Sequence, residues 1–254
     1  MTKTSRRLQA TSQIFNQAQD RLKLHFRRFE FKYLISVRLA DLIKDYISKR
    51  LELDQFAKKS GSYIVQSIYL DTIHYSSYQD VKAGVKNRVK YRLRSYNPDQ
   101  KNSKYVFWEI KRKLDVTVFK DRALLTNGQS QKYIDKNIIP PPKQEVLRNL
   151  QQARLRYLLR PNILIRYRRQ PFINKTTDLR ITFDQEIEAN KIDPQWKPAS
   201  WSRSIHPQSI IMEIKFTGSL PFWLAEIVRK YNLERKPFSK YALSLEKVNP
   251  KLYG

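Results

Sequence analysis

Charged residues spaced two apart recur along this chain. Glu30 and Lys32 form one such pair, Lys90, Arg92 and Arg94 a triplet, and Glu109, Lys111 and Lys113 another. Lys120 with Arg122, Arg180 with Thr182 and Asp184, and Glu213 with Lys215 repeat the spacing. Residues i and i+2 share one face of a β-strand. Six strands would therefore each carry a basic line on one face, some with an acid beside the base. Arginine grips a phosphate with a planar fork, and lysine adds a compact charge. About ten such groups in a narrow space suit a chain of phosphates. A carboxylate there has no use as an anion binder. Its physical role is to hold Mg2+ or Mn2+, hard cations that prefer oxygen ligands and substrate phosphates. Glu213 is the best candidate. Glu30 and Glu109 are alternatives, and each could simply pair with a neighbouring lysine.

The elements that would position these groups are mostly strands. Alternating or β-rich stretches cover 29–34, 63–70, 87–95, 104–111, 117–125, 162–169, 178–184 and 209–216. The faces opposite the charges carry Phe29, Phe31, Tyr33, Tyr91, Leu93, Trp108, Ile110, Ile181, Phe183, Met212, Ile214 and Phe216, which suits packing under helices. Helical periodicity covers 37–50, 145–159 and 220–231, the last with Pro221 at a first helical position. Pro140, Pro141 and Pro142 read as a rigid loop, and 190–206 as a long surface loop. Like charges on neighbouring strands of an open sheet repel. The pattern is satisfied if the strands close around a polar, anion-filled lumen. The expected fold is α+β: an antiparallel eight-stranded β-tunnel, or barrel, with a charged lumen and flanking helices.

Composition narrows the classes. The chain has 254 residues, with 50 Lys and Arg against 23 Asp and Glu, a formal net charge of +27. With 41% hydrophobic and 12% aromatic residues it is not a disordered basic tail. It has only 5 glycines, which argues against a glycine-rich nucleotide loop. It has no cysteine, which excludes disulfides, thiol catalysis and cysteine-based metal sites. His25, His74 and His206 are scattered and match no ligand spacing. No run approaches the roughly 18 apolar residues of a membrane span, and the N-terminus lacks a signal-peptide core. A soluble, cytoplasmic protein is expected, with residues 1–25 a basic N-terminal appendage and 26–254 one domain.

Eight motifs in order carry a family resemblance: RFEFKY at 28–33, SIYLDT at 67–72, KYRLRSY at 90–96, WEIKRK at 108–113, YRRQPF at 167–172, LRITFD at 179–184, MEIKF at 212–216 and FSKY at 238–241. Together they resemble the VTC domain, the catalytic module of the vacuolar transporter chaperone complex. That domain is one of the triphosphate tunnel metalloenzymes, related to the CYTH group. The resemblance covers roughly 26–247. It implies a polyphosphate polymerase that transfers the terminal phosphoryl group of ATP to a growing inorganic polyphosphate chain, using Mn2+ or Mg2+. By position it implies Lys32, Arg92, Arg94, Lys111, Arg169 and Arg180 as catalytic groups on the triphosphate. It implies Glu213 as the metal ligand, and Lys215, Ser239 and Lys240 as substrate contacts. Lys90 and Lys113 extend the same basic lines and are expected as further substrate contacts. The chain departs from the family at Arg168, where an acidic or small residue is usual, so any of Arg166, Arg168 and Arg169 could face inward. It departs again at Lys113, where eukaryotic members carry a histidine. No SPX-type regulatory domain accompanies the motifs, so a stand-alone bacterial form is expected.

Plainer readings stand beside these. Glu213 and Lys215 could be an ordinary strand ion pair. Lys90–Arg94 could be a solvated edge strand. Ser239 and Lys240 could be a helix cap and its neighbour. Tyr69 and Asp71 read as structural. A tunnel hydrolase acting on inorganic or nucleoside triphosphates, and a non-catalytic polyanion binder, are the alternative functions. Nucleic acid is the less favoured partner, because few aromatic residues are interleaved with the basic ones.

Overall fold

The computed structural model describes residues 28–96, 105–115, 117–136, 144–193 and 195–253. The expected appendage at 1–25, with His25, and the loop of three prolines lie outside them.

In chain order the elements are β1 (Arg28–Ser36), α1 (Val37–Ser48), β2 (Glu52–Leu53), β3 (Tyr63–Asp71), α2 (Ser76–Lys82), β4 (Arg88–Ser95), β5 (Tyr105–Leu114), β6 (Thr117–Thr126), α3 (Asn127–Lys136), α4 (Glu145–Arg156), β7 (Arg160–Ile173), β8 (Arg180–Lys191), β9 (Arg203–Ile205), β10 (Ser209–Thr217), α5 (Phe222–Lys230) and α6 (Lys240–Val248), followed by a 3-10 turn at Pro250–Tyr253. Every strand pairing is antiparallel. The main path of the sheet runs β1-β10-β8-β7-β3-β4-β5-β6, with β2 added to β7 and β9 to β8. The eight strands of that path are the eight expected from alternation. β9 falls inside the stretch 190–206, which is therefore shorter as a loop than its sequence suggested. Among the described residues no helix is long and apolar enough to cross a membrane.

Alternation in the strands sorts side chains onto two faces, and the convex face is apolar. Tyr33, Ile181, Phe183, Met212, Ile214 and Phe216 form one buried cluster with Ile43 and Ile47 of α1 and Leu224 and Ile227 of α5. Leu93, Trp108, Ile110 and Leu125 form another with Ile134 of α3 and Leu147 and Leu150 of α4. Trp108 also donates its indole N–H to Ser130 Oγ at 2.8 Å, which satisfies its polar end inside that core. A third cluster lies on the concave face. Val65, Ile163, Ile165, Tyr167 and Ile211 pack there against Tyr241, Ala242 and Leu245 of α6. One end of the concave face is therefore apolar and covered by a helix, and the rest is charged. Packing a helix there shortens the charged part of the interior.

Three helices had no clear periodic signal. α2 is held from outside: buried Asp71 accepts hydrogen bonds from Ser77 N–H and Tyr78 N–H at 3.0 and 3.2 Å. α3 starts on a reciprocal cap between Thr126 and Gln129, with bonds of 3.0 and 3.2 Å. α6 is capped by Ser239, whose Oγ accepts from Ala242 N–H at 3.3 Å.

Candidate functional site

The cross-strand registers place the charged lines on one face. Lys32 lies opposite Glu213, and Glu30 opposite Lys215. Lys215 lies opposite Arg180. On the other wing, Arg92 lies opposite Glu109 and Lys90 opposite Lys111. Lys111 in turn faces Lys120, and Glu109 faces Arg122. The two wings meet. Lys111 Nζ of β5 lies 3.6 Å from Glu30 Oε2 of β1. The sheet therefore curls until its first and seventh strands touch through side chains. Among the described residues no β1–β6 ladder appears in the strand order, so the wrap is completed by ion pairs rather than backbone hydrogen bonds.

On this concave face the charges form linked groups. Glu109 is fully buried and holds Arg92 at 2.5 Å and Lys120 at 2.5 Å, with Arg94 at 3.9 Å. Arg92 also donates to the Tyr69 hydroxyl at 3.1 Å. Arg94 donates to Ser67 Oγ at 3.0 Å and to the Tyr167 hydroxyl at 3.5 Å. Arg169 makes a bidentate pair with buried Asp184, both bonds 2.7 Å, and Lys240 reaches the same carboxylate at 2.6 Å. Lys32 lies 2.5 Å from Glu30, and Lys215 lies 2.5 Å from Glu213. Arg180 bonds Asp54 at 3.0 Å and the Tyr63 hydroxyl at 3.2 Å. Lys90 donates to Ser239 Oγ at 2.8 Å, so Ser239 both caps α6 and fixes a lumen lysine. Lys113 continues its strand face one step past Lys111, opposite Arg88 and Val118, outside the linked groups.

The interior shifts the acidity of these groups. Burial and Glu213 push the Glu30 carboxyl up, but Lys32, Lys111 and Lys215 outweigh them and hold it at about 2. Burial likewise opposes Arg92, Arg94 and Lys120 at Glu109 and loses, leaving that carboxyl at about 2. Glu213 is buried, yet Lys215, Lys32, Arg169 and Lys240 hold it well below the usual carboxylate range. Burial would raise the Tyr69 phenol, but Arg92, Arg94 and Lys90 bring it down to about 7. Lys90, Lys111 and Lys120 are held at about 8, first by burial.

The ambiguity among the β7 arginines is resolved. Arg169 faces the cavity. Arg168 points the other way and pairs with exposed Glu186 at 2.9 Å. Arg166 stands opposite Gln66 and Glu188. The register shift beside Arg166 and Arg168 puts an extra residue into β8 between Gln185 and Glu188, so Asp184 as well as Ile187 faces inward and Asp184 comes opposite Arg169. Asp71 is structural, as its residue type and position suggested: it also accepts from the Tyr241 hydroxyl at 2.6 Å. Tyr69 differs from its structural reading. Its ring stacks on Tyr241 at 5.0 Å, but its hydroxyl sits among the lumen cations. Asp54 is a second cavity residue that strand patterning missed, because it comes from the short segment after β2. His74 and His206 lie on turns away from these groups, where the latter meets the Phe238 ring.

Among the described residues no three histidine or acidic side chains gather as a metal cage. Glu213 and Glu30 still fit a hard divalent ion. They lie close enough for Glu213 to act on the Glu30 carboxyl, both are ionised, and Mg2+ commonly takes one or two carboxylates plus phosphate oxygens. Glu109 fits less well, because three cations already surround it. Two surface cavities of about 650 and 520 Å3 lie outside this region. One is lined by Asp41, Lys44 and Phe172, the other by Tyr46, Trp223 and Lys230, and neither gathers the basic lines of the strands.

Several solved structures match the chain at low identity. An adenylate cyclase candidate from Bacillus halodurans, bh2851, is 12% identical with a TM-score of 0.48, covering 84% of this chain and 95% of its own. The PH1819 protein of Pyrococcus horikoshii OT3 is 14% identical with a TM-score of 0.44, covering 86% and 99%. The PH1012 protein of the same organism is 10% identical with a TM-score of 0.45, covering 87% and 100%. No curated protein matches the chain. The VTC domain family matches residues 27–249, which span nearly all of the described residues and every lumen residue named above. This chain belongs to the VTC domain family.

Proposed function

We propose that the protein is a polyphosphate polymerase that uses ATP as phosphoryl donor. The observation that carries this reading is the meeting of charged side chains from strands far apart in the sheet, on one concave face lined with basic groups, in a chain of the VTC domain family. Phosphoryl transfer depends on positioning and on neutralising charge more than on covalent help from the protein. Arg92, Arg94, Lys111, Arg169 and Arg180 hold the triphosphate. Their internal carboxylate partners keep them extended and charged until phosphate oxygens take those places. Lys32, Lys90, Lys215 and Lys240 contact the phosphates of nucleotide or polymer, and Ser239 fixes Lys90. A divalent ion, Mn2+ or Mg2+, held by Glu213 with Glu30 beside it supplies further charge neutralisation on the phosphate oxygens.

The nucleophile is a terminal oxygen of the polyphosphate chain, which is already ionised and needs no general base. It bonds to the γ-phosphorus of ATP as the bond from that phosphorus to the β,γ-bridging oxygen breaks. ADP leaves with that oxygen, and the polymer gains one phosphate. Buried Arg169, held protonated against its burial by Asp184, and Arg92, held so by Tyr69 and then Glu109, stay charged throughout.

Incubation of the purified chain with ATP and Mn2+, followed by sizing of the products, tests the reading. Long-chain polyphosphate and ADP are expected. Orthophosphate without polymer would assign the same cavity to hydrolysis, and ATP left intact would leave only anion binding.

A further inference from the structure

Three aromatic rings stand at the end of the concave face opposite α6. Tyr63 lies on β3, Tyr96 follows β4, and Phe107 lies on β5. Tyr96 meets Tyr63 edge to face at 5.8 Å and 77°, and Phe107 at 5.6 Å and 78°. It remains 38% exposed. The rings border the basic groups. Tyr63 lies opposite Arg169 in register, and Phe107 opposite Arg94. Arg180 donates to the Tyr63 hydroxyl, and the Arg122 guanidinium sits 5.1 Å from the Phe107 ring centre. Phosphate chains have no apolar face, so nothing in polyanion binding calls for three rings here. A nucleobase carries a π-face, is tied to its phosphates through one sugar, and stacks on aromatic side chains or arginine planes.

We propose that Tyr63, Tyr96 and Phe107 form the platform for the nucleobase of a nucleoside triphosphate whose phosphates lie on Arg94, Arg169 and Arg180. The inference rests on the nucleotide-donor reading above and adds where the base sits and how it is read. Tyr96 is the exposed ring of the three, and the Tyr63 hydroxyl is already bonded to Arg180, so the site recognises a base by stacking on Tyr96 and not by its edge. Purines, with the larger π-surface, bind alike, and pyrimidines bind less tightly.

Calorimetric titration of the full chain with ATP, GTP, CTP and inorganic tripolyphosphate, each with equimolar Mg2+, tests this. Wild type should bind ATP and GTP within about threefold of each other and CTP more weakly. Tyr96→Ala, Tyr96→Leu and Phe107→Ala should each weaken ATP roughly tenfold and tripolyphosphate less than about twofold. Tyr96→Phe should keep ATP binding. Retained tripolyphosphate binding also reports that each variant is folded. Unchanged ATP affinity in all three variants overturns the platform and leaves the nucleotide reading standing. So does an equal loss for ATP and tripolyphosphate, because the rings would then shape the cavity rather than hold a base. A strong preference between ATP and GTP overturns recognition by stacking. Wild type that binds tripolyphosphate but no nucleotide overturns the donor reading itself.

Discussion

Glu30 of β1 and Lys111 of β5 stand 3.6 Å apart, although six inter-strand steps separate their strands along the sheet. Six steps across a flat sheet would place them about 29 Å apart. The pair can form only because the sheet curls back on itself, and it forms on the concave side. Every strand of the main path lies between these two or next to them. The basic lines they carry therefore face a shared interior, where a phosphate chain can reach several of them at once.

Arg180→Ala and Lys111→Ala should abolish turnover and leave the fold intact. Both side chains are about one-third exposed; Glu30 keeps Lys32, whereas buried Asp54 keeps the Phe56 N–H. Less than about 1% of wild-type rate is expected for both, with an unchanged melting temperature for Lys111→Ala and a lowered one for Arg180→Ala, read by product formation and thermal unfolding. Near-normal synthesis in either variant would contradict the assignment.

Arg169→Ala should lose stability as well as activity. It leaves the fully buried Asp184 with Lys240 as its remaining cation. Breaking a buried pair from one side costs about 3–5 kcal/mol. In a domain of this size that lowers the melting temperature by roughly 10 °C. Arg168→Ala, which removes a partner from exposed Glu186, should change neither property.

Glu213→Gln should remove activity and the response to added Mn2+ together. The carboxylate is ionised and buried next to Lys32 and Lys215, and the amide keeps its volume while losing its charge. Rates measured across a metal titration should be flat near zero. A saturable metal response of wild-type shape would place the ion elsewhere.

Tripolyphosphate binding should weaken as pH rises through about 8. Burial, and after it the neighbouring cations, hold Lys90, Lys111 and Lys120 at about 8 against the pull of Tyr69, Glu30 and Glu109. A bound anion raises those values, so complex formation takes up protons near pH 8. Tyr69, held at about 7, has the same sign, since a bound anion disfavours its phenolate. Calorimetry at pH 8 in buffers of different ionisation enthalpy should reveal net proton uptake. Affinity that is constant from pH 7 to pH 9.5 would contradict it.

Much of this architecture was legible in the residues. Alternation located all eight strands of the main path and assigned both faces of residues such as Glu109 and Trp108. The i, i+2 spacing identified the basic lines before any fold was known. Some parts depend on distant contacts and leave no local trace. α2 is capped by Asp71 from another element, so its own sequence carries no start signal. Thr126 and Gln129 did carry one, a capping box, that periodicity alone overlooks. Tyr69 looks like a core aromatic, and only the packing of Arg92 against it brings its hydroxyl into the cavity. Closure by Glu30 and Lys111 depends on sheet curl, which no pair of residues encodes. The apolar third cluster is a further case, because α6 folds back from the C-terminal part of the chain to cover one end.

A structure of the chain with inorganic tripolyphosphate bound tests the shared cavity most directly. One phosphate chain should lie between the two wings, within hydrogen-bond reach of Lys111 on one side and Arg169 on the other. Phosphates found only on the outer surface, with the Glu30–Lys111 and Arg169–Asp184 pairs undisturbed, would contradict the account.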